Sequence, residues 1–399
     1  MWPCRSRPIV AFLMAAAWFV IGPAALTAQT APTKIRALLT ESTQLTADEI
    51  TALDSGKAVV KALPTANKQE TAVIGILRLS DMSFADIAIF RESLAQKRGS
   101  ERTSGSKFSS PPQIDDLAGL ELENKDFEEL QKCVVGRCDM NLSADAIRRF
   151  QKDIDWNAEN RNEKATALMR QILLEYAVNY LEKGDKALGS YDNSRKPVNL
   201  AETHDTLLAS SGLANELVPE LTAFLKRFPA DPPDGMQNEL HWSIVDFGLK
   251  PMVTLTHTAA YSAPADSGPK LLAIAARQIY AGRYLDASLS FSILAHDTDA
   301  SGTFSFLIFM DRSRSDALGG LFDSLTRSVV EREASERVQK VLQTAQNRLE
   351  TEKRRKLEPS PVSDTSGNAT PENKSFMIAA VLAALLITAV LAFYLLRRK

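Results

Sequence analysis

Between Val253 and Met310 the chain repeatedly alternates apolar and hydroxyl-bearing residues with a period of two, and beyond Asp316 the period lengthens to 3.6. Successive side chains of an extended chain point to opposite faces, so such alternation marks strands with one apolar face. Val253, Leu255, His257, Ala259 and Tyr261 share a face, with Thr254, Thr256, Thr258 and Ala260 on the other. The pattern returns from Leu285 to His296, where Leu285, Ala287, Leu289, Phe291, Ile293 and Ala295 oppose Asp286, Ser288, Ser290, Ser292, Leu294 and His296. After a turn at 297–302, Phe304, Phe306, Ile308 and Met310 oppose Thr303, Ser305, Leu307 and Phe309. Leu271 to Tyr280 is a weaker fourth candidate.

After Asp316, residues Leu318, Leu321, Phe322, Leu325, Val329, Val338, Val341, Leu342, Ala345 and Leu349 form a helical stripe opposite Arg, Glu and Gln. An antiparallel meander has an apolar face to cover, and the element next in sequence usually packs on it. The expected fold is therefore α+β: an antiparallel β-meander on a long C-terminal helix, spanning 72–350.

Ala72 to Leu79 reads as a buried strand that opens this core, followed by a capped helix from Ser83 with Phe84, Ile87, Phe90 and Leu94 on one face. Residues 29–71 form a polar leader with one or two short helices. Residues 98–113, rich in Ser, Gly and Lys with Pro111 and Pro112, read as a loop. A mostly helical insertion follows at about 124–228: a helix from Asp126 to Gln131, one from Ser143 to Ile154 capped by Ser143, one from Glu163 to Lys183 stopped by Gly184, and one from Asp205 to Phe228.

The two ends of the chain address it to a membrane. Arg5 and Arg7 precede the apolar run Ile9 to Ile21 and a small-residue site ending at Ala28, the layout of a secretory signal peptide over 1–28; an uncleaved N-terminal anchor shares this pattern. Phe376 to Leu396 carries no charge and would span about 31 Å as a helix, against a hydrocarbon core of about 30 Å. It reads as a transmembrane helix. Arg397, Arg398 and Lys399 follow, and the positive-inside rule places 397–399 in the cytoplasm and the bulk of the chain on the periplasmic or extracellular side. Residues 351–375, with Pro359, Pro361 and Pro371, read as a flexible stalk.

Charge then narrows the partners. Removing Arg5 and Arg7 with the leader peptide and three basic residues with the tail leaves 42 of the 47 basic residues against 49 acidic ones. A mildly acidic external part disfavours nucleic acid, which selects basic surfaces. Of the three cysteines, Cys4 leaves with the signal peptide, and Cys133 and Cys138 are expected to form a disulfide in an oxidising compartment. A redox-active pair is the alternative, although such motifs usually separate the cysteines by two residues.

Catalytic and cofactor fingerprints are missing: there is no G-x-S-x-G elbow, H-E-x-x-H, P-loop or dinucleotide glycine motif. Ser104 to Lys107 matches S-x-x-K, but no K-T-G accompanies it. His204, His241, His257 and His296 are too scattered for a metal site by spacing. His257 falls on the apolar face with Leu255 and Tyr261, where a buried imidazole needs a partner, either within the core or in a ligand. Arg312 and Arg314, at the passage from the last strand to the long helix, could hold an anion beside the helix N-terminus. Alternatively they pair with Asp311 and Asp316 while Ser315 or Asp316 caps the helix. Arg312, Arg314, His257 and Tyr261 are thus the candidate ligand-binding residues.

The combination of Cys133 and Cys138 before Asp139, Met140, Asn141 and Leu142, then Ile154 to Trp156, Gln278 to Ala281, Tyr284 to Leu289 and Arg312 to Asp316 resembles a group of exported bacterial proteins without an assigned activity. In element order, an opening strand and helix, a later meander and a long closing helix, the chain is similar to the helix-grip domains of StAR-related lipid-transfer proteins and polyketide cyclases. It departs from them where the helical insertion replaces their second and third strands. A long helix over a meander is the arrangement that leaves a cavity in helix-grip domains, and together with the missing catalytic motifs this likeness points to an apolar or amphipathic ligand, such as a lipid, bound without covalent chemistry. Two other classes stay open: a hydrolase using His257 or His241, and a protein-binding envelope scaffold with an exposed apolar patch.

Overall fold

A computed structural model describes residues 34–80, 102–245, 250–263, 271–299, 302–319 and 323–357. The signal peptide, the helix expected from Ser83, residues 358–375 of the stalk, and the transmembrane helix and tail over 376–399 lie outside the described residues, whereas residues 351–357, expected as the start of the stalk, are the last turns of the long C-terminal helix. No helix among the described residues is long and apolar enough to cross a membrane.

In chain order the elements are α1 (Lys34–Thr43), α2 (Ala47–Asp54), β1 (Val59–Ala62), β2 (Glu70–Ser80), β3 (Arg102–Lys107), α3 (Asn124–Lys132), α4 (Ala144–Asp153), α5 (Arg161–Lys183), β4 (Ser190–Tyr191), β5 (Val198–Asn199), α6 (Leu200–Ala209), α7 (Gly212–Leu217) and α8 (Pro219–Arg227). Then come β6 (Met236–Val245), β7 (Met252–Ser262), β8 (Leu271–Ala281), β9 (Ala287–Asp299), β10 (Gly302–Arg314) and α9 (Asp323–Leu357). The fold is α+β, built on an eight-stranded sheet in the order β1-β2-β10-β9-β8-β7-β6-β3 with every pairing antiparallel.

Register converts the sequence alternation into two faces. Leu240, His257, Arg277 and Leu289 follow one another across β6 to β9, and Phe291, Met310 and Ile74 across β9, β10 and β2. This face builds the main core with Leu39 of α1, Leu130 of α3, Phe150 of α4, Tyr180 of α5, and Leu221 and Phe224 of α8. The other face carries Val73, Leu77, Leu294, Leu307 and Phe309, which pack against Ala334, Val338, Leu342 and Ala345 of α9. Helix α9 lies over β1 and β2. Further along that face the hydroxyl residues Thr256, Thr258, Ser288 and Ser290 are buried.

Several sequence expectations need correction. Residues 102–107 are not a loop: they pair with β6 as a short polar edge strand whose Lys107 meets Glu239, a way of protecting an exposed edge. The helix expected over 205–228 is three helices, broken at Ser210 and Ser211 and again where Pro219, which has no amide hydrogen to continue the ladder, opens α8. The boundary expected at Ala72 falls inside the folded unit, since Leu39, Leu53 and Val59 join its core. Strand β6 was not anticipated, although Leu240, Trp242 and Ile244 alternate with His241, Ser243 and Val245.

Other local expectations match. Ser143 caps α4 by accepting the Ala146 amide at 3.2 Å. Gly184 ends α5 with φ of 58° and abuts the Phe228 carbonyl so closely that a side chain has no room. A disulfide joins Cys133 to Cys138. It closes a turn in which Val134 and Arg137 exchange both backbone hydrogen bonds.

Candidate functional site

Where α1 and α7 meet over β9 and β10, a pocket of about 290 Å³ remains on the helix-covered face. That is near the lower end of the roughly 300–1,000 Å³ usual for small-molecule sites. Its floor is apolar: Leu289 and Phe291 from β9 and Met310 from β10, with Leu213 and Leu63 at its sides. Strand alternation places these floor residues together, because cross-strand partners share a face. Thr43 and Ser211, from the two helix ends, line it together with Ser42, Ser210 and Glu216 at the rim, and Asp311 and Arg312 of β10 border it.

Arg312 stands opposite Ala72 on β2 and reaches diagonally to Glu70, to whose carboxylate its Nη1 donates. The Glu70 side chain is 3% exposed and that of Arg312 14%. Arg312 does not pair with its neighbour Asp311, which alternation sends to the opposite face. There Ser313 donates to Asp311 at 3.1 Å, and burial holds the Asp311 carboxyl well above its ordinary pKa.

Arg314 is committed to the strand–helix corner. Its Nη1 donates to Thr203 Oγ1 at 2.7 Å, and its Nη2 donates to Gln69 Oε1 at 3.0 Å and Asp316 Oδ1 at 3.4 Å. Asp286 lies 3.7 Å from its Nε. Burial, reinforced by neighbouring Asp316 and opposed by Arg314, pushes Asp286 up to about 8. Ser315 does not cap the long helix: its hydroxyl donates to the Tyr284 carbonyl at 2.6 Å, and a short 3-10 turn at Asp316–Gly319 precedes α9.

His257 sits in packed core, enclosed by aromatic rings, with Phe228 at 4.3 Å, Tyr180 at 5.5 Å and Phe224 at 6.3 Å between ring centres. Its Nδ1 shares a 2.8 Å hydrogen bond with the Tyr180 hydroxyl. Burial, then the charge of Arg277 and the proximity of His241, lower it to about 3, so the imidazole is neutral. Arg277 is itself buried and held by Asp185 at 2.7 Å. Tyr261 is buried near the end of β7, and neither it nor His257 is among the residues lining the pocket.

The structure therefore brings only Arg312 of the four candidates to this pocket. Glu70, Thr43, Ser211 and Leu213 were missed because they come from segments remote in sequence, with no local pattern marking them. A wider cleft of about 600 Å³ borders the disulfide, but its lining is charged, including Lys125, Lys132, Arg137 and Asp139. Among the described residues no group of three or more His, Cys, Asp or Glu side chains could hold a metal ion. No family model, curated protein or solved structure matches this chain.

Proposed function

We propose that this is an envelope protein, anchored by Phe376 to Leu396 with its folded part on the external side, that binds a small apolar or amphipathic ligand without covalent chemistry. The observation carrying the reading is the pocket under α1 and α7, whose floor of Leu289, Phe291 and Met310 meets Arg312, itself paired with Glu70, at its edge. Pockets with apolar walls and a few placed polar groups are the usual form of small-molecule sites. In helix-grip domains the cavity lies between sheet and long helix; here the reading places it on the other face, under the N-terminal helix and the insertion.

Full-length protein in lipid nanodiscs, titrated with a fluorescent alkyl probe, tests this. Ser210→Trp, which projects a large ring into the pocket from its half-exposed rim, is the control. Saturable binding that the substitution abolishes supports the proposal; equal signal from both chains counts against it.

The scaffold alternative has one observation of its own. Val134 and Val135 are 38% and 48% exposed at the turn closed by the disulfide, an arrangement suited to a protein contact. A hydrolase draws no support from His257, which is neutral and enclosed, or from His241, which is buried with Glu239 at 3.2 Å.

A further inference from the structure

We infer that the pocket selects an uncharged head that can donate a hydrogen bond, an alcohol or amide rather than a carboxylate or phosphate, and that Glu70 sets this preference. The inference rests on the binding reading above and specifies its ligand class.

Two independent features point the same way. The positive charge of Arg312 is already matched by Glu70, which is almost fully buried beside it. An anionic head drawn to the guanidinium would bring a second negative charge up to Glu70, in surroundings where like charges repel strongly. Glu216 at the exposed rim adds to the repulsion.

The second feature is the state of the two buried hydroxyls, which lie deeper than Ser42 and Ser210 at the exposed and half-exposed rim. Thr43 gives its single proton to the Leu39 carbonyl at 2.7 Å, and Ser211 gives its own to the Leu207 carbonyl at 2.8 Å. Both are buried and both line the pocket. A hydroxyl that has donated retains only acceptor lone pairs. These groups are therefore complemented by a ligand that supplies a proton, which a carboxylate at neutral pH cannot do. With water occupying about 30 Å³ in the liquid, the pocket holds roughly ten water-sized groups. A head with a chain of about eight carbons fits that volume.

The test uses 1-octanol and octanoate at pH 7.5, each competing with the fluorescent alkyl probe on the full-length chain in nanodiscs, with the Ser210→Trp chain as background. The inference expects octanol to bind at least about tenfold more tightly than octanoate. In Glu70→Gln, which frees Arg312, octanoate should gain about tenfold. In Thr43→Val, which removes the acceptor at nearly constant shape, octanol should weaken by about fivefold or more. Should Glu70→Gln fail to fold, the wild-type ratio and the Thr43→Val result still decide. Octanoate binding as tightly as octanol to the wild type overturns the inference while leaving the pocket reading intact. Absence of competition by either compound, with no signal from the probe itself, defeats the pocket reading and the inference with it.

Discussion

Gly75 of β2 lies directly beneath Val338 of α9, so close that even a methyl group on Gly75 would collide with the Val338 side chain and with Leu342. The seam between the sheet and its long helix is therefore shut at this point. Gly75→Ala is expected to destabilise the protein by about 1–3 kcal/mol through overpacking. Adding Val338→Ala should recover part of that loss by making room. Urea denaturation of the single and double variants measures both, and a Gly75→Ala chain as stable as the wild type would show that α9 shifts freely on the sheet.

The two arginines of the strand–helix corner should separate on mutation. Arg312→Gln leaves Glu70 charged and buried without its partner, a change that typically costs about 3–5 kcal/mol. Glu70→Gln added to it should restore most of the stability, since no buried charge then remains. Arg314→Gln loses hydrogen bonds to Gln69 and Thr203 at a more exposed position, and about 1–2 kcal/mol is expected. Equal losses for the two single variants in thermal denaturation would argue that the Glu70 pair is no more buried than the Arg314 contacts.

Asp286 should make stability depend on pH in a direction opposite to most surface carboxylates. Its folded-state pKa is raised to about 8, whereas an unfolded aspartate titrates near 3.9. The native chain thus keeps a proton that the unfolded chain releases, and the associated stability, full below about pH 4, is lost as pH rises toward 8. Asp286→Asn cannot ionise, so its stability relative to the wild type should climb between pH 4 and 8 by on the order of 1 kcal/mol per pH unit. His257 acts in the opposite sense. Its folded value is depressed to about 3, so its contribution is full above about pH 6.5 and is lost as pH falls from there. Denaturation of both chains at pH 4, 6 and 8 reads the difference; a constant gap would mean that Asp286 titrates alike in the folded and unfolded chains.

Reducing the Cys133–Cys138 disulfide should loosen a turn rather than unfold the protein. The bond closes a very short loop, for which the chain-entropy model allows only about 2 kcal/mol. Melting with and without reductant should differ by a few degrees, with hydrogen exchange rising around Val134 to Arg137 and in the 192–193 segment that their backbone joins. Loss of cooperative melting on reduction would assign the bond a larger part in the fold.

Sequence alone determined the strands of the central meander and the faces they present. Val253 to Tyr261 and Phe304 to Met310 lie where alternation put them, because a period of two is a property of the extended chain and needs no tertiary information. It likewise determined the cap at Ser143, the stop at Gly184 and the cysteine pair, all set within a few residues. Strand β3 and the breaks between α6, α7 and α8 were obscured because edge pairing and local breaking residues there outweigh composition and helical periodicity.

What only the tertiary structure decided is which remote segments meet. Alternation places Arg312 on the same face as Leu289 and Met310, but Glu70 reaches it only because β2 inserts beside β10, more than two hundred residues further along the chain. His257 shows the same limit from the other side: alternation correctly assigns it to the apolar face, yet whether that face holds a ligand or a packed core depends on Tyr180, Phe224 and Phe228 arriving from α5 and the end of α8. Local pattern records the backbone geometry of a segment, whereas a pocket or a buried ion pair is a property of the contacts that long-range packing alone creates.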